Sequence, residues 1–170
     1  AQKRQEGYEI VVVVGVGFVG AVMAAIIADS VDKKTGKSNK FVIGMQRPST
    51  RSYWKIPYLN QGIAPVNAED PEVEPMIRRC VNEKKTLIAT FTGHAFTLAD
   101  VIVVDVQCDY VKESIGDIST GYTDMASLEK SLRVIGEKIP PEALVLIETT
   151  VAPGTTEVVA WPILKEEFKK

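Results

Sequence analysis

The 170-residue chain has one histidine, two cysteines and little net charge. Each of these scarcities removes a class of function. His94 has no partner in its neighbourhood to make it a general base, and its place near the start of a short helix suits capping or solvent exposure. Cys80 and Cys108 lack C-x-x-C spacing, so they call for neither a metal nor a disulfide framework, and two scattered thiols fit a reducing, cytoplasmic setting. A formal charge of −2 gives no drive toward nucleic acid or an anionic membrane. No apolar run approaches the ~18 residues of a membrane span, and the polar start, Ala1 to Gly7, has no signal-peptide core. That start, residues 1–7, reads as a flexible segment. The chain lacks an initiator Met, and Lys165 to Lys170 reads as a helix with no stop signal, so residues 1–170 are expected to form a single domain cut from a longer protein.

With 45% hydrophobic residues the chain can bury a substantial core. Its organising stretch is Glu9 to Gly20, where a run of β-branched residues, Ile10 to Val14, passes through Gly15-Val16-Gly17-Phe18-Val19-Gly20 into the apolar Ala21 to Ala28. This is the strand, glycine turn and helix of a dinucleotide site. Gly15 allows the tight turn, Gly17 allows backbone to approach a pyrophosphate, and Gly20 lets the helix lie close to the sheet. The new helix then presents free N–H groups and its positive dipole end to the phosphates. The bland alternative is a βα turn with no ligand. A second near-motif, Gly36-Lys37-Ser38, mimics the end of a P-loop, but Val31 stands where its first glycine belongs and a strand follows where a helix must.

Further along, the pattern predicts a helix over Phe18 to Ser30, a strand at Phe41 to Met45, and a long unstructured connection from Ser49 to Pro75. A helix is predicted at Glu72 to Asn82 with Cys80 on its buried face, and a strand at Leu87 to Thr90. Thr92 to Leu98 forms a short helix, and Val101 to Val106 a strand interrupted only by Asp105. After a loop from Gln107 to Tyr122, Thr123 caps a helix running to about Lys138, ended by Pro140-Pro141. Leu144 to Glu148 is a strand, and a last helix starts near Thr156, with Thr155 or Thr156 as its cap. Wholly apolar strands alternating with helices give an α/β fold, a doubly wound parallel sheet of Rossmann type in three α/β/α layers. Ligand is expected at the carboxyl ends of the strands.

In such a site the second strand usually ends in an acid that takes the ribose hydroxyls; here it ends in Gln46, with Arg47 and Arg51 close by. The amide can bond ribose hydroxyls, but it does not repel a 2′-phosphate, so NADP stays open beside NAD. The loop Glu148-Thr149-Thr150-Val151-Ala152-Pro153-Gly154-Thr155-Thr156 places hydroxyls at the end of a central strand, where Thr149 and Thr150 can hold a reacting alcohol, a water or the cofactor amide.

These stretches together resemble the UDP-glucose/GDP-mannose dehydrogenase family, in particular its N-terminal NAD-binding domain. The glycine turn carries the likeness, with Val42-Ile43-Gly44, Lys55-Ile56, Leu59-Asn60-Gln61-Gly62-Ile63-Ala64-Pro65, Ala99-Asp100-Val101-Ile102-Val103-Val104 and the Glu148 to Thr156 loop, which looks like the family's E-S-T-V-x-P-G-T-T signature. The resemblance implies an enzyme that oxidises the C6 hydroxymethyl of a nucleotide-linked sugar to a carboxylate with two NAD in succession, passing through a thiohemiacetal and thioester on a cysteine, in the service of polysaccharide biosynthesis. It implies a homo-oligomeric full-length enzyme with a nucleotide-sugar substrate.

By position, the resemblance assigns Gly15, Gly17, Phe18, Val19 and Gly20 to the pyrophosphate, Gln46 to the ribose, and Arg51 to the adenosine end. Val106 joins the cofactor contacts, and Thr149 and Thr150 flank the nicotinamide, Thr150 being the catalytic position associated with water. The chain departs from the family at Gln46 and at Val106-Gln107-Cys108-Asp109, which replaces V-P-T-P. Cys108 has no basic neighbour and is not taken as the nucleophile. The family's substrate-binding residues and nucleophilic cysteine would lie beyond Lys170, so residues 1–170 are expected to bind NAD without turning over sugar. Two rival readings are another NAD(P)-dependent dehydrogenase, of hydroxyacid or 6-phosphogluconate type, and a nucleotide-sensing module with no chemistry.

Overall fold

The β-branched run at Glu9–Val14 forms the central strand, β1, of the computed structural model, which describes residues 2–116 and 119–170. Before it, Gln2–Gln5 makes one helical turn, α1, and Arg4 ties that turn to the sheet through a 2.8 Å ion pair with Asp100. Alternation then proceeds as the apolar pattern dictates. Helix α2 spans Phe18–Asp29 and strand β2 spans Lys40–Met45. Helix α4 spans Val73–Arg78 and continues as a π-helical turn over Arg79–Glu83, before β3 at Leu87–Thr90. A 3₁₀ segment, Gly93–Leu98, leads to β4 at Val101–Val104. Helix α5, Ala126–Gly136, precedes β7, Leu144–Ile147. A second π-helical turn, Thr156–Ala160, runs into α6, Trp161–Phe168.

Five strands pair in the order β3-β2-β1-β4-β7, and every pairing is parallel. Because β1 lies in the middle with both faces covered, alternate residues feed two separate cores. Ile10, Val12 and Val14 join Phe41, Ile102, Leu128, Leu132 and Ile135 under α5 and α6. Val11 and Val13 join Ala21, Ala24, Ala25, Ala28 and Ile77 under α2 and α4. The result is the expected three-layer α/β/α, doubly wound arrangement. The chain passes from β3 at one edge to β4 beside β1, so the strand order reverses between β1 and β4. Ligands bind in such a crevice, at the carboxyl ends of the strands.

Small residues set the spacing of α2. A Cβ on Gly20 would stand 1.8 Å from the Gly15 carbonyl oxygen, so only glycine lets this turn close. Buried Cys80, as expected of a core residue, packs against the same helix, and burial pushes its thiol up to about 11.

Four sequence expectations are corrected. The connection from Ser49 to Pro75 is not without structure: Lys55–Asn60 forms helix α3, where Pro57 sits early enough to need no intrahelical acceptor. The loop from Gln107 to Tyr122 contains β5, Asp109–Val111, whose antiparallel partner β6 is Tyr122–Asp124. Thr123 therefore lies in a strand and caps nothing; α5 begins at Ala126, whose N–H donates to Asp124 Oδ1 at 3.0 Å. At the last helix, Thr155 is buried and makes no side-chain cap, so the capping expectation fails there also.

Helix α3 secures the β3 edge through one side chain. Asn60 Oδ1 accepts from the Ala89 N–H at 2.6 Å and Asn60 Nδ2 donates to the Ala89 carbonyl at 3.0 Å, so an amide stands in for a neighbouring strand. Asn60→Ala strips both partners from this edge and is expected to cost about 1–3 kcal/mol. Urea unfolding checks this, and an unchanged midpoint would contradict the role given to Asn60.

Candidate functional site

A cleft of about 770 Å³ opens at the carboxyl ends of β1 and β2, within the size range of small-molecule and cofactor sites. Its floor is the glycine turn, with Val14, Gly15 and Gly17 contributed by β1 and its continuation. Gly15 has φ +98°, a conformation that favours glycine, and a Cβ there would lie 2.2 Å from the Asp105 carbonyl oxygen. Gly17 differs from both its neighbours in the motif. A Cβ built on it meets no heavy atom within 4 Å, so the space above its backbone is open.

Gly17 is the residue before α2 and provides no side-chain cap. The first N–H groups of a helix have no acceptor within it, so the Phe18 and Val19 amides are left for a ligand. The side chains of both are exposed, Phe18 by 71% and Val19 by 57%. An open glycine, unsatisfied amides and a helix dipole fit the pyrophosphate of a dinucleotide.

Gln46 reaches back from the end of β2 to brace this turn. Its Oε1 accepts from the Val16 N–H at 3.1 Å, while Nε2 stands 3.4 Å from Ser52 Oγ. Gln46, Arg47 and Lys55 line the cleft on this side. Arg51 is exposed and is not among the lining residues; its backbone N–H donates to Ser49 Oγ and its carbonyl accepts from Trp54 Nε1. On the opposite wall stand Val106 and Gln107, followed by Ser127, Lys130, Ser131 and Arg133 of α5. Among the described residues, three cationic side chains without an ion pair, Arg47, Lys55 and Lys130, thus border the cleft against a single carboxylate, Asp105, while Arg133 is already paired with Glu167 at 2.9 Å. That balance favours an anionic ligand.

Thr149 and Thr150 follow β7. The Thr149 hydroxyl accepts from the Val106 N–H at 2.9 Å and lies 2.9 Å from the Val106 carbonyl, so it fixes the backbone where β4 leaves the sheet. Thr150 is exposed beside it. Neither lines the cleft with the glycine turn; through Val106, Thr149 acts on its wall. Cys108 is half-buried, and burial together with Asp109 and Asp124 pushes its thiol above its ordinary value, which suits it poorly to nucleophilic attack.

Sequence reading found the turn but undervalued Asp105, which interrupts the apolar β4 pattern just past Val104. Its carboxylate folds back onto Gly20, and the cleft's floor and this carboxylate share one surface. Burial raises its pKa first of all, the Gly20 N–H offsets part of that by hydrogen bonding, and Glu148 adds repulsion. A lone acid at the carboxyl end of an apolar strand was the available signal. The α5 residues, by contrast, carried none, because nothing local says which helix face looks toward the turn.

Residues 9–170 match the sequence model of the UDP-glucose/GDP-mannose dehydrogenase family, NAD binding domain. Among solved structures, the NDP-N-acetyl-D-galactosaminuronic acid dehydrogenase from Methanosarcina mazei Go1 is similar at 30% identity and a TM-score of 0.81, over 97% of this chain and 32% of that one. The GDP-mannose dehydrogenase from Pseudomonas aeruginosa, in a ternary complex, is similar at 27% identity and a TM-score of 0.71, over 94% of this chain and 33% of that one. The UDP-D-ManNAc dehydrogenase from Pyrococcus horikoshii is similar at 26% identity and a TM-score of 0.69, over 94% of this chain and 32% of that one. The chain therefore spans about a third of the length of these solved relatives. No curated protein matches. No helix among the described residues is long and apolar enough to cross a membrane.

Proposed function

Because the chain belongs to the UDP-glucose/GDP-mannose dehydrogenase family through its NAD-binding domain, we propose that it is the cofactor half of a nucleotide-sugar 6-dehydrogenase. The reaction is oxidation of the C6 hydroxymethyl of a nucleotide-linked sugar to a carboxylate, with NAD as hydride acceptor. The observation that carries this reading is the open Gly17 between the turn glycine and α2, inside a cleft bordered by cations. The family match over nearly the whole chain and the solved nucleotide-sugar dehydrogenases of similar fold support it.

NAD supplies the hydride acceptor when bound. The protein's own residues have separable tasks. Backbone amides of Gly17, Phe18 and Val19 bind the pyrophosphate, and Gln46 holds the turn in place through Val16. Thr149 fixes Val106 and with it the wall that would take the nicotinamide end. Thr150, exposed after β7, orients the water that serves the reaction. The sugar and the nucleophile belong to a further half of the enzyme, and residues 1–170 bind cofactor without turnover.

The full-length enzyme, given nucleotide sugars and NAD, is expected to produce two NADH per sugar oxidised. Thr150→Ala in that enzyme lowers kcat by roughly a hundredfold to ten-thousandfold, the range for loss of a positioned proton-transfer group, with little change in cofactor affinity. Equal turnover would remove Thr150 from the mechanism, and failure with every nucleotide sugar would remove the substrate class.

A further inference from the structure

The amide of Gln46 has only one orientation compatible with its neighbours. The Val16 N–H can only donate, so the oxygen of the side-chain amide must face it, as the 3.1 Å contact to Oε1 shows. The NH₂ group is thereby turned the other way, toward Ser52 Oγ and the cleft. Where an acid would offer acceptors to two ribose hydroxyls, this strand end offers donors.

The surroundings repeat that chemistry. Arg47 follows directly, is exposed, lines the cleft, and has no acidic partner among the described residues. Lys55 lines the same side. The sequence contains no Asp or Glu between Asp32 and Glu69. The cleft's only carboxylate among the described residues, Asp105, lies against the glycine turn and Gly20. A ribose hydroxyl both donates and accepts, so a surface of donors satisfies it only in part. A phosphate monoester, carrying a charge of about −1.5 to −2 at neutral pH and presenting strong acceptor oxygens, satisfies all of them.

We infer that the adenosine 2′ position of this cleft accepts a phosphate, so that the protein binds NADP as well as NAD, with Gln46 and Arg47 setting the preference between them. This rests on the dinucleotide reading given above. An acid in place of Gln46 would meet the phosphate with a like charge, a cost on the order of a hundredfold in affinity. That barrier is missing here, and a guanidinium stands in the position to reward the phosphate.

The test is calorimetric titration of the protein with NAD and with NADP, at low and moderate salt, for the wild type, Gln46→Glu and Arg47→Ala. Gln46→Glu keeps an oxygen for Val16 and replaces the NH₂ with a second acceptor, so the fold is preserved while the chemistry reverses. The expected wild-type Kd values for NADP and NAD lie within about tenfold of one another, with NADP the more weakened by salt. Gln46→Glu is expected to move the ratio against NADP by at least about tenfold, and Arg47→Ala in the same direction. NAD binding with NADP weaker by more than about tenfold overturns the inference and leaves the dehydrogenase reading standing. A ratio indifferent to both substitutions overturns the roles of Gln46 and Arg47. Binding of neither dinucleotide overturns the dinucleotide reading itself, and this inference with it.

Discussion

Gly17→Val is expected to abolish NAD binding, by at least about a hundredfold in Kd, while the protein stays folded. The two halves of that expectation have different grounds. The fold is safe because Gly17 has φ −87°, which valine adopts, and because a Cβ there meets no heavy atom within 4 Å. Binding is lost because a branched side chain fills the space through which the pyrophosphate must approach the Phe18 and Val19 amides. Thermal unfolding alongside titration separates the two. The unfolding free energy should change by less than about 1 kcal/mol, as for a surface substitution. Gly20→Ala is the contrasting control, since its methyl would be driven into the Gly15 carbonyl, 1.8 Å away, and the protein should be destabilised outright. Normal NAD affinity in folded Gly17→Val would mean that the turn is only a turn.

Asp105→Asn is expected to tighten NAD binding by roughly tenfold at neutral pH, corresponding to ~1.4 kcal/mol, a modest repulsion for a charge near a phosphate at a partly wet site. The substitution keeps an oxygen for the Gly20 N–H and removes the charge. The direction of the pH effect follows from the raised pKa of this carboxyl. A native state that holds the proton more tightly than the unfolded chain has its stabilising contribution in full below the ordinary carboxylate pKa and loses it as pH rises through the raised value. At neutral pH the ionised Asp105 therefore costs stability, and the same ionised form faces the phosphates. Wild-type affinity for NAD should rise as pH falls toward that value, and the Asn variant should show a flatter profile. An Asn variant that binds NAD more weakly would show that the carboxylate assists the cofactor.

Much of this architecture is written in local pattern. The run Ile10 to Val14 is apolar on both faces because β1 is central, and the same holds for Val101 to Val104, so parallel strands could be read from composition and length. The glycine turn was equally legible, since each glycine answers to a backbone requirement. Short elements were not. Helix α3 has six residues with a proline among them, too few for a periodic signal, and β5 and β6 have three residues each. These depend on contacts distant in sequence: Leu59 buried in the core, Asn60 on β3, and Asp109 paired with Asp124 across the β5–β6 ladder.

The site divides along the same line. Gln46 was visible as a residue at a strand end, but only the Val16 N–H fixes which end of its amide faces the cleft. Thr149 was visible as a hydroxyl near the nicotinamide, yet its observed bonds go to Val106 across 43 positions of sequence. Asp105 was visible only as an exception to an apolar run.

The central claim is that the turn from Gly15 to Gly20 binds the pyrophosphate of NAD. The most direct test is an NMR titration of the isotope-labelled protein with NAD, following backbone amides and the Gln46 side-chain NH₂. The expected result is a saturable shift of the Val16, Gly17, Phe18 and Val19 amides and of the Gln46 amide, with the α6 surface unmoved. Shifts confined to other surfaces, or none at millimolar NAD, a concentration at which even ~4 kcal/mol of binding would show, would contradict the account.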